Sequence, residues 1–343
     1  MVTARRKIMR IPRAEHQLTG KRPGPSRTAR PFSVVVLNYN GRAIIERTLK
    51  AMTRETRAAA GSEIILVDNA STDGSADLVA RKFPEVRVMR KREGRFLIAF
   101  NDAVAQAKNN VVILANNDMI PDKGCLGRLA AGLEGDVFAV GPKVLCRDHK
   151  TINFAFARPR FRLGFFWIER VGSGEPDRGQ YDFQKPVPSV YPPIISAFSR
   201  EKLLALGGFD PLYLPAYWED VDLGYSAWTR GWKTLYDSKA VAVHDHQKTI
   251  EKGNMKSTVL YWINKNKHLF IVKNFSDGWM RAQYAIALPF IVVAGTIRHG
   301  FSFLSGFFGA LGQVGTALGR NKETETHRKL SDREIFRRTG GKS

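Results

Sequence analysis

The chain has 343 residues, of which 43% are hydrophobic and 25% are charged, a composition typical of folded globular proteins that excludes a wholly disordered chain. The 54 Lys and Arg residues outnumber the 32 Asp and Glu residues, for a formal net charge of +22, which indicates a polyanionic neighbour such as nucleic acid, anionic lipid or a phosphorylated substrate. Cys125 and Cys146 are too few for a disulfide framework and lack zinc-like spacing, so a reducing compartment is expected.

Residues 1–30 are predicted to form a flexible basic arm. They contain nine Lys and Arg residues against one acid, Glu15, and Pro and Gly interrupt them without sustained periodicity. No apolar run follows the basic residues, so the segment is not a secretory signal. A tail that only aids solubility and an Arg-rich transit peptide remain open as alternatives.

Three short apolar runs, 34–37, 64–67 and 111–114, dominate the next part of the chain. Strands without polar alternation are buried on both faces, as in a parallel sheet covered by helices. The segments between these runs, such as 43–52 and 76–82, have the length of crossover helices. The predicted fold class is therefore α/β, with a largely parallel sheet flanked by helices.

Polar side chains follow each apolar run, at Asn38, Asp68, Asn116 and Asp118. Ligands bind beyond the carboxyl ends of parallel strands, so these side chains are expected to meet at one edge of the sheet. One polar strand end is usually a turn or a helix cap, but three ends with the same chemistry indicate a site. Carboxylate and amide oxygens suit Mg²⁺ or Mn²⁺. No glycine-rich phosphate loop follows the first strand, which disfavours a dinucleotide oxidoreductase or a P-loop NTPase.

Several segments resemble, in order, the motifs of family 2 glycosyltransferases, in the branch of rhamnosyltransferases and other single-addition enzymes. The resemblance covers about residues 32–275 and implies a GT-A-type, Rossmann-like fold. The matching segments are VVVLNYN (34–40), VDNASTDG (67–74), LANNDM (114–119), ISAFSREKLLALGGFD (195–210), WEDVDL (218–223), AVHDH (242–246) and KN (265–266).

The resemblance implies roles in binding the sugar donor and a metal ion. Asp68 matches the position that reads a pyrimidine base, and Asp118 matches the last position of the DxD metal motif, whose first position is Asn116. A later histidine can ligate the metal, and His244 matches it better than His246. The implied cofactor is Mg²⁺ or Mn²⁺. The other implied donor contacts are Asn38, Asn40, Asn116, Asn117 and, through a looser match of residues 92–101, Asn101.

The WEDVDL segment implies that Asp220 is the catalytic base, which accepts the proton of the acceptor hydroxyl. Glu219 and Asp222 are expected to be acceptor contacts or structural partners. Acids near a helix N-terminus also favour the helix dipole, and that alternative stays open. The spacing of apolar residues predicts one buried stripe of a helix, formed by Trp218, Val221, Tyr225 and Trp228.

The predicted function is inverting, metal-dependent transfer of a sugar from a UDP- or dTDP-sugar to a saccharide or lipid-linked acceptor, in cell-envelope polysaccharide or glycolipid synthesis. No QxxRW motif is present, which disfavours processive synthesis. One alternative is a nucleic-acid-binding protein, but the basic residues concentrate at the termini without interleaved aromatics, so no nucleic-acid partner is expected. The other is a nucleotidyltransferase on a similar sheet, which would need a strong phosphate loop.

Composition divides the chain further into a catalytic domain (31–275), amphipathic membrane-associating helices (276–320) and a basic tail (321–343). The apolar stretches 284–297 and 301–319 are short or glycine-rich, and the first contains Pro289, whereas a membrane span needs about 20 apolar residues. The prediction is therefore an interfacial helix pair, held by flanking cations on the anionic cytoplasmic face of a membrane. Packing as core or dimer helices is the alternative.

Overall fold

The computed structural model describes residues 30–245 and 255–343, so His246 and nearly all of the predicted arm at 1–30 lie outside the described residues. The strands are β1 Ser33–Asn38, β2 Glu63–Asp68, β3 Val86–Arg90, β4 Val111–Asn116, β5 Met119–Pro121, β6 Val137–Cys146, β7 Ile152–Phe154, β8 Phe156–Arg162, β9 Phe165–Val171, β10 Val187–Pro188, β11 Ser196–Ser199 and β12 Lys233–His244. The helices are α1 Ile45–Arg57, α2 Ser75–Lys82, α3 Ala99–Gln106, α4 Cys125–Ala131, α5 Arg200–Ala205, α6 Glu219–Thr229, α7 Met255–Asn274, α8 Gly278–His299, α9 Phe301–Leu311, α10 Val314–Thr326 and α11 Asp332–Arg338.

Within the described part of the chain, ten strands form one sheet, whose main path runs β10-β12-β6-β11-β4-β1-β2-β3. Parallel pairs join β1 to β2 and β4, β2 to β3, and β6 to β12. β11 runs antiparallel between β4 and β6. β5 and β10 also pair antiparallel with β12, and β7 pairs antiparallel with β6. The predicted α/β fold with a sheet flanked by helices is therefore confirmed, but the sheet is mixed: it is parallel from β4 through β1 and β2 to β3 and largely antiparallel elsewhere. The three apolar runs lie in β1, β2 and β4, and α1 and α2 occupy the predicted crossovers.

The two faces of the central strands pack against separate helix layers. In β1, Val34 and Val36 belong to a hydrophobic cluster with side chains of α1, α2 and α4. Val35 and Leu37 belong to a cluster with side chains of α3, α5 and α6. All four residues are at most 8% exposed. Burial on both faces is thus the physical reason for the unbroken apolar sequence of this strand.

The C-terminal helices pack on the rest of the molecule: α7 contacts α9 and α10, and α11 contacts α6 and β8. In α11, Asp332 is fully buried and accepts a hydrogen bond from the Tyr225 hydroxyl at 2.7 Å. It also accepts from the backbone N–H groups of Ser276 and Asp277, each at 2.7 Å. Residues 321–343, expected to be a basic tail, are therefore part of the folded unit.

α8 is a single helix of 22 residues that continues through Pro289. By length and composition it could cross a membrane, and α9 and α10 pass the same test only as a pair bent by 60°. The apolar stretch at 284–297, which is too short to span a membrane on its own, is thus the middle of a longer helix.

Candidate active site

The carboxyl ends of β1, β2 and β4 meet through hydrogen bonds between side chains. Asn38 Nδ2 donates to Asp68 Oδ1 at 3.2 Å, and Asn117 Nδ2 donates to Asn38 Oδ1 at 2.8 Å. Asn38 is fully buried and Asp68 is 4% exposed. The structure therefore brings these three residues together at one edge of the sheet, and their roles in donor binding stay predictions.

The turn after β1 depends on Gly41. A Cβ atom there would lie 2.2 Å from Asn117 Nδ2 and 2.3 Å from Asn38 Oδ1, so a larger residue would force the two amides apart. The preceding Asn40 has a positive φ of 47°. Its Oδ1 accepts a hydrogen bond from the backbone N–H of Thr72 at 2.9 Å. These contacts fix the turn after β1 against the loop that follows β2.

A cavity of about 460 Å³ lies beside this edge, between the ends of β4 and β12, strand β9 and the start of α6. We call it the catalytic cavity. Asn116, Asp220 and His244, which the sequence singles out, all line it. The cavity therefore brings the proposed base and one proposed metal ligand to the same space.

His244 forms a pair with Asp118 at the wall of the catalytic cavity. His244 Nε2 lies 3.0 Å from Asp118 Oδ2, and His244 Nδ1 lies 3.4 Å from Asn153 Oδ1. Antiparallel pairing of β12 with β5 sets His244 opposite Met119, the residue after Asp118. The register of the sheet therefore brings together two residues that are 126 positions apart in the chain.

Asp118 and His244 offer one carboxylate and one imidazole, which are suitable ligands for a divalent cation such as Mn²⁺. Within residues 30–245 and 255–343, no group of three or more His, Cys, Asp or Glu side chains could hold a metal ion. A cation here would take two protein ligands, and substrate phosphates and water would complete its coordination, as is usual for Mg²⁺. The residues present fit a cation of this kind.

Two carboxyl groups stand side by side at the start of α6. Asp220 lines the catalytic cavity, and its Oδ1 accepts from the backbone N–H of Val221 at 2.8 Å. Burial raises the pKa of Asp220, while that N–H and the nearby Arg170 guanidinium oppose the rise. Burial and the adjacent charge of Asp220 raise the pKa of Glu219 to about 8. A carboxyl group with a raised pKa inside a cavity is suited to accept a proton near neutral pH.

Asp222 belongs to a buried ion network. It is 3% exposed and accepts from Lys273 Nζ at 2.6 Å, the Tyr213 hydroxyl at 2.7 Å and Asn274 Nδ2 at 2.7 Å. Lys273 Nζ also donates to Asp210 Oδ2 at 2.8 Å. The network joins α6 to α7. Of the two roles expected for Asp222, acceptor contact and structural partner, these contacts support the structural one.

The side chain of Asn101 hydrogen-bonds to the backbone of another part of the chain. Its Nδ2 donates to the Phe209 carbonyl and its Oδ1 accepts from the Phe209 N–H, both at 2.9 Å. The side chain therefore holds the GGFD turn, residues 207–210, against α3. Its expected contact with the donor stays a prediction that no observed contact supports.

Three residues, Arg170, Tyr191 and Trp218, line the catalytic cavity although no sequence pattern places them there. Arg170 lies on β9, in a segment that no matching motif covers, so nothing in the sequence points to it. Burial, with the charge of Asp220 as a second cause, raises the pKa of Tyr191. Trp218, expected to be the first residue of the buried helical stripe, instead precedes α6 with a positive φ of 76° and lines the cavity. The other three stripe residues are buried as predicted.

Comparison with known families and sequences adds to this geometry. The model of the family described as Glycosyl transferase family 2 matches residues 33–203, which include Asp68 and Asp118 but end before α6. The N-acetylglucosaminyl-diphospho-decaprenol L-rhamnosyltransferase of Mycobacterium tuberculosis (strain CDC 1551 / Oshkosh) is 27% identical over 277 residues, which are 73% of this chain and 86% of that protein.

Solved structures show the same fold. The crystal structure of GalNAc-T7 with UDP, GalNAc and Mn²⁺ matches with a TM-score of 0.60 at 18% identity, over 77% of this chain and 51% of that chain. S. aureus TarS 1–349 matches with a TM-score of 0.52 at 16% identity, over 87% of this chain and 83% of that chain. The fold and the family match together lead to one conclusion: the chain belongs to glycosyltransferase family 2, has a GT-A-type fold and is a glycosyltransferase.

Proposed function

We propose that the protein is a non-processive, inverting glycosyltransferase that uses a UDP- or dTDP-sugar together with Mg²⁺ or Mn²⁺. The observation that supports this most directly is the catalytic cavity. Asp220 and His244 both line it, and Asp118 contacts His244. Asp68 lies in the hydrogen-bonded network at the adjoining strand ends. This arrangement supports neighbouring binding sites for the nucleotide, the cation and the reacting sugar at one edge of the sheet.

In the proposed mechanism, the acceptor hydroxyl oxygen attacks the anomeric carbon of the donor sugar as the bond from that carbon to the diphosphate oxygen breaks. The hydroxyl proton passes to the Asp220 carboxylate, and the nucleoside diphosphate leaves with the bonding electron pair. A single in-line attack inverts the anomeric carbon, because no carboxylate nucleophile intervenes. A divalent cation held by Asp118 and His244 would stabilise the negative charge of the leaving diphosphate. Arg170 brings a guanidinium group to the same cavity.

We also propose a lipid-linked acceptor and transfer at the cytoplasmic face of a membrane, in cell-envelope polysaccharide or glycolipid synthesis. The mycobacterial relative is named for a diphospho-decaprenol acceptor. In this chain, only 22% of the most apolar window of α8 is buried, and its exposed apolar residues recur at helical spacing, so they form one face. The members of this α8 apolar face are Trp279, Ile286, Phe290, Val293 and Ile297.

A donor screen tests the proposed function. Purified protein is incubated with UDP- and dTDP-sugars, a lipid-linked saccharide acceptor and either Mn²⁺ or Mg²⁺, and the released nucleotide is identified. Release of a nucleoside diphosphate with an inverted anomeric linkage, abolished by a chelator, is the expected result. Release of free diphosphate would indicate nucleotidyl transfer and contradict the proposal. Tight, salt-sensitive binding to RNA or DNA without any sugar transfer would contradict it as well.

A further inference from the structure

A second cavity, of about 830 Å³, opens between the β8–β9 hairpin, the start of α8 and the residues after α11. We call it the basic cleft. It combines four cations with two tryptophans. Its charged and aromatic members are Arg160, Arg162, Trp167, Trp279, Arg333 and Lys342.

The basic cleft has a surplus of positive charge. Arg160 pairs with Glu169, and Arg333 Nε donates to Asp277 Oδ2 at 2.8 Å. Arg162 and Lys342 are exposed and have no ion-pair partner among the described residues. Two side-chain carboxylates thus oppose four cationic side chains, so the Arg162 and Lys342 side chains are left without a side-chain counter-ion among the described residues. Arg is well suited to a phosphate, because its planar guanidinium donates two parallel hydrogen bonds.

The basic cleft is continuous with the α8 apolar face. Trp279, 61% exposed in the first turn of α8, belongs to both. The tip of the β8–β9 hairpin lies against the same helix, since a Cβ atom on Gly164 would come within 2.4 Å of the Gln283 carbonyl. Leu163 at this tip is 70% exposed, and Trp167 is 44% exposed. Tryptophans between an apolar surface and a row of cations are typical of the boundary between acyl chains and lipid headgroups.

Strand β9 separates the basic cleft from the catalytic cavity. Successive side chains of a strand point to opposite faces, and Trp167 lines the cleft while Ile168 and Arg170 line the cavity. Binding in the basic cleft therefore leaves the proposed sites of the donor and the base free.

We propose that the basic cleft binds the phosphate of an anionic phospholipid headgroup and seats the enzyme on the membrane with the α8 apolar face against the acyl chains. This rests on the membrane location in the proposed function, but not on sugar transfer itself. Arg162 and Lys342 supply the unpaired charge, and Trp279 and Trp167 lie at the level of the headgroups. Chemically, the ligand is a phosphate monoester or diester attached to a lipid.

Co-sedimentation with vesicles tests the site. The 343-residue protein is mixed with vesicles of phosphatidylglycerol and phosphatidylcholine, or of phosphatidylcholine alone. The double variant Arg162→Gln/Lys342→Gln should bind the anionic vesicles roughly 25-fold more weakly, from about fivefold for each cation near an anionic surface. The control Lys108→Gln/Lys185→Gln removes the same charge from exposed positions outside both cavities and should bind close to the wild-type level. Equal binding by the two double variants would overturn the proposal.

Two further measurements test whether the bound phosphate belongs to a lipid and whether Trp279 contacts the headgroup region. Inorganic phosphate at matched ionic strength should leave vesicle binding unchanged. If it displaced the protein fully from the vesicles, the cleft would be assigned to a soluble anion and the lipid assignment would be overturned. Lipids brominated near the headgroup should quench tryptophan fluorescence in wild type and much less in Trp279→Phe; equal quenching in both would contradict the seating. If vesicle binding behaves as expected and no donor supports sugar transfer, the proposed function fails while the lipid site stands.

Discussion

Asp220→Asn tests the assignment of the catalytic base. Asparagine keeps the size of the side chain, and its Oδ1 can still accept from the Val221 N–H, as Asp220 does at 2.8 Å. The start of α6 should therefore be preserved, and the change removes only the proton acceptor. General-base catalysis contributes about 10²–10⁴-fold to a rate. We expect kcat to fall at least ~100-fold, which corresponds to about 3 kcal/mol of activation free energy.

The assay follows release of the nucleoside diphosphate at saturating donor, with donor affinity measured separately by calorimetry. Affinity should stay within about twofold of wild type, because the network that contains Asp68 lies on other elements and additivity holds for separate sites. In wild type, kcat/KM should fall on the acid side of its pH profile with an apparent pKa above that of an ordinary aspartate, since burial raises the pKa of Asp220.

Glu219→Gln is the matched control for this prediction. It makes the same chemical change one residue earlier, at a carboxyl group that is not part of the cavity wall, so it should keep most of the activity. Near-normal turnover by Asp220→Asn would refute the base assignment. A larger loss in Glu219→Gln than in Asp220→Asn would move the base to Glu219.

Three further changes follow from the contacts of the site. Because burial raises the pKa of Glu219 from 4.5 to about 8, the folded state holds a proton that the unfolded state releases, and stability falls as pH rises across that window; Glu219→Gln should flatten this part of the curve in urea unfolding at pH 5 and pH 8. Asp118→Asn and His244→Ala should each weaken Mn²⁺ binding about 10-fold or more, measured by electron paramagnetic resonance of free Mn²⁺; unchanged binding in both would remove the metal assignment. Lys273→Met should lower the free energy of unfolding by about 3–5 kcal/mol in urea, because it leaves the buried Asp222 carboxylate without a counter-ion; a loss below 1 kcal/mol would contradict the importance of that network.

The central strands of the sheet could be predicted because each is encoded by a short, continuous stretch of sequence. Val34 to Leu37 form an unbroken apolar run, and only a strand covered on both faces requires one. Asn38 and Asp68 could be placed together for a similar reason, since parallel neighbours end at the same edge. The meeting of Asp118 with His244 required the register of β5 on β12, which no local pattern specifies.

Other parts of the site depend on contacts between distant segments. Asp222 and Asp220 look alike in the sequence, yet one joins Lys273 of α7 and the other lines the catalytic cavity. Arg170 reaches the cavity because the β8–β9 hairpin folds over it, and hairpin placement is a tertiary property. The length of α8 is a further case: Pro289 reads as an interruption, but the helix continues through it.

The position of Asp332 has a practical consequence for anyone who wishes to shorten the chain. Its carboxylate accepts hydrogen bonds from the Tyr225 hydroxyl on α6 and from two backbone N–H groups at the α7–α8 junction. Deleting the final stretch would leave these donors without an acceptor, at about 1–3 kcal/mol for each that stays buried. A protein without α11 would thus be destabilised around α6, whose start lines the catalytic cavity. Loss of activity in such a protein would therefore not test membrane binding. Polar replacements on the outward side of α8, such as Phe290→Ser, separate solubility from folding more cleanly, since Phe290 is 72% exposed.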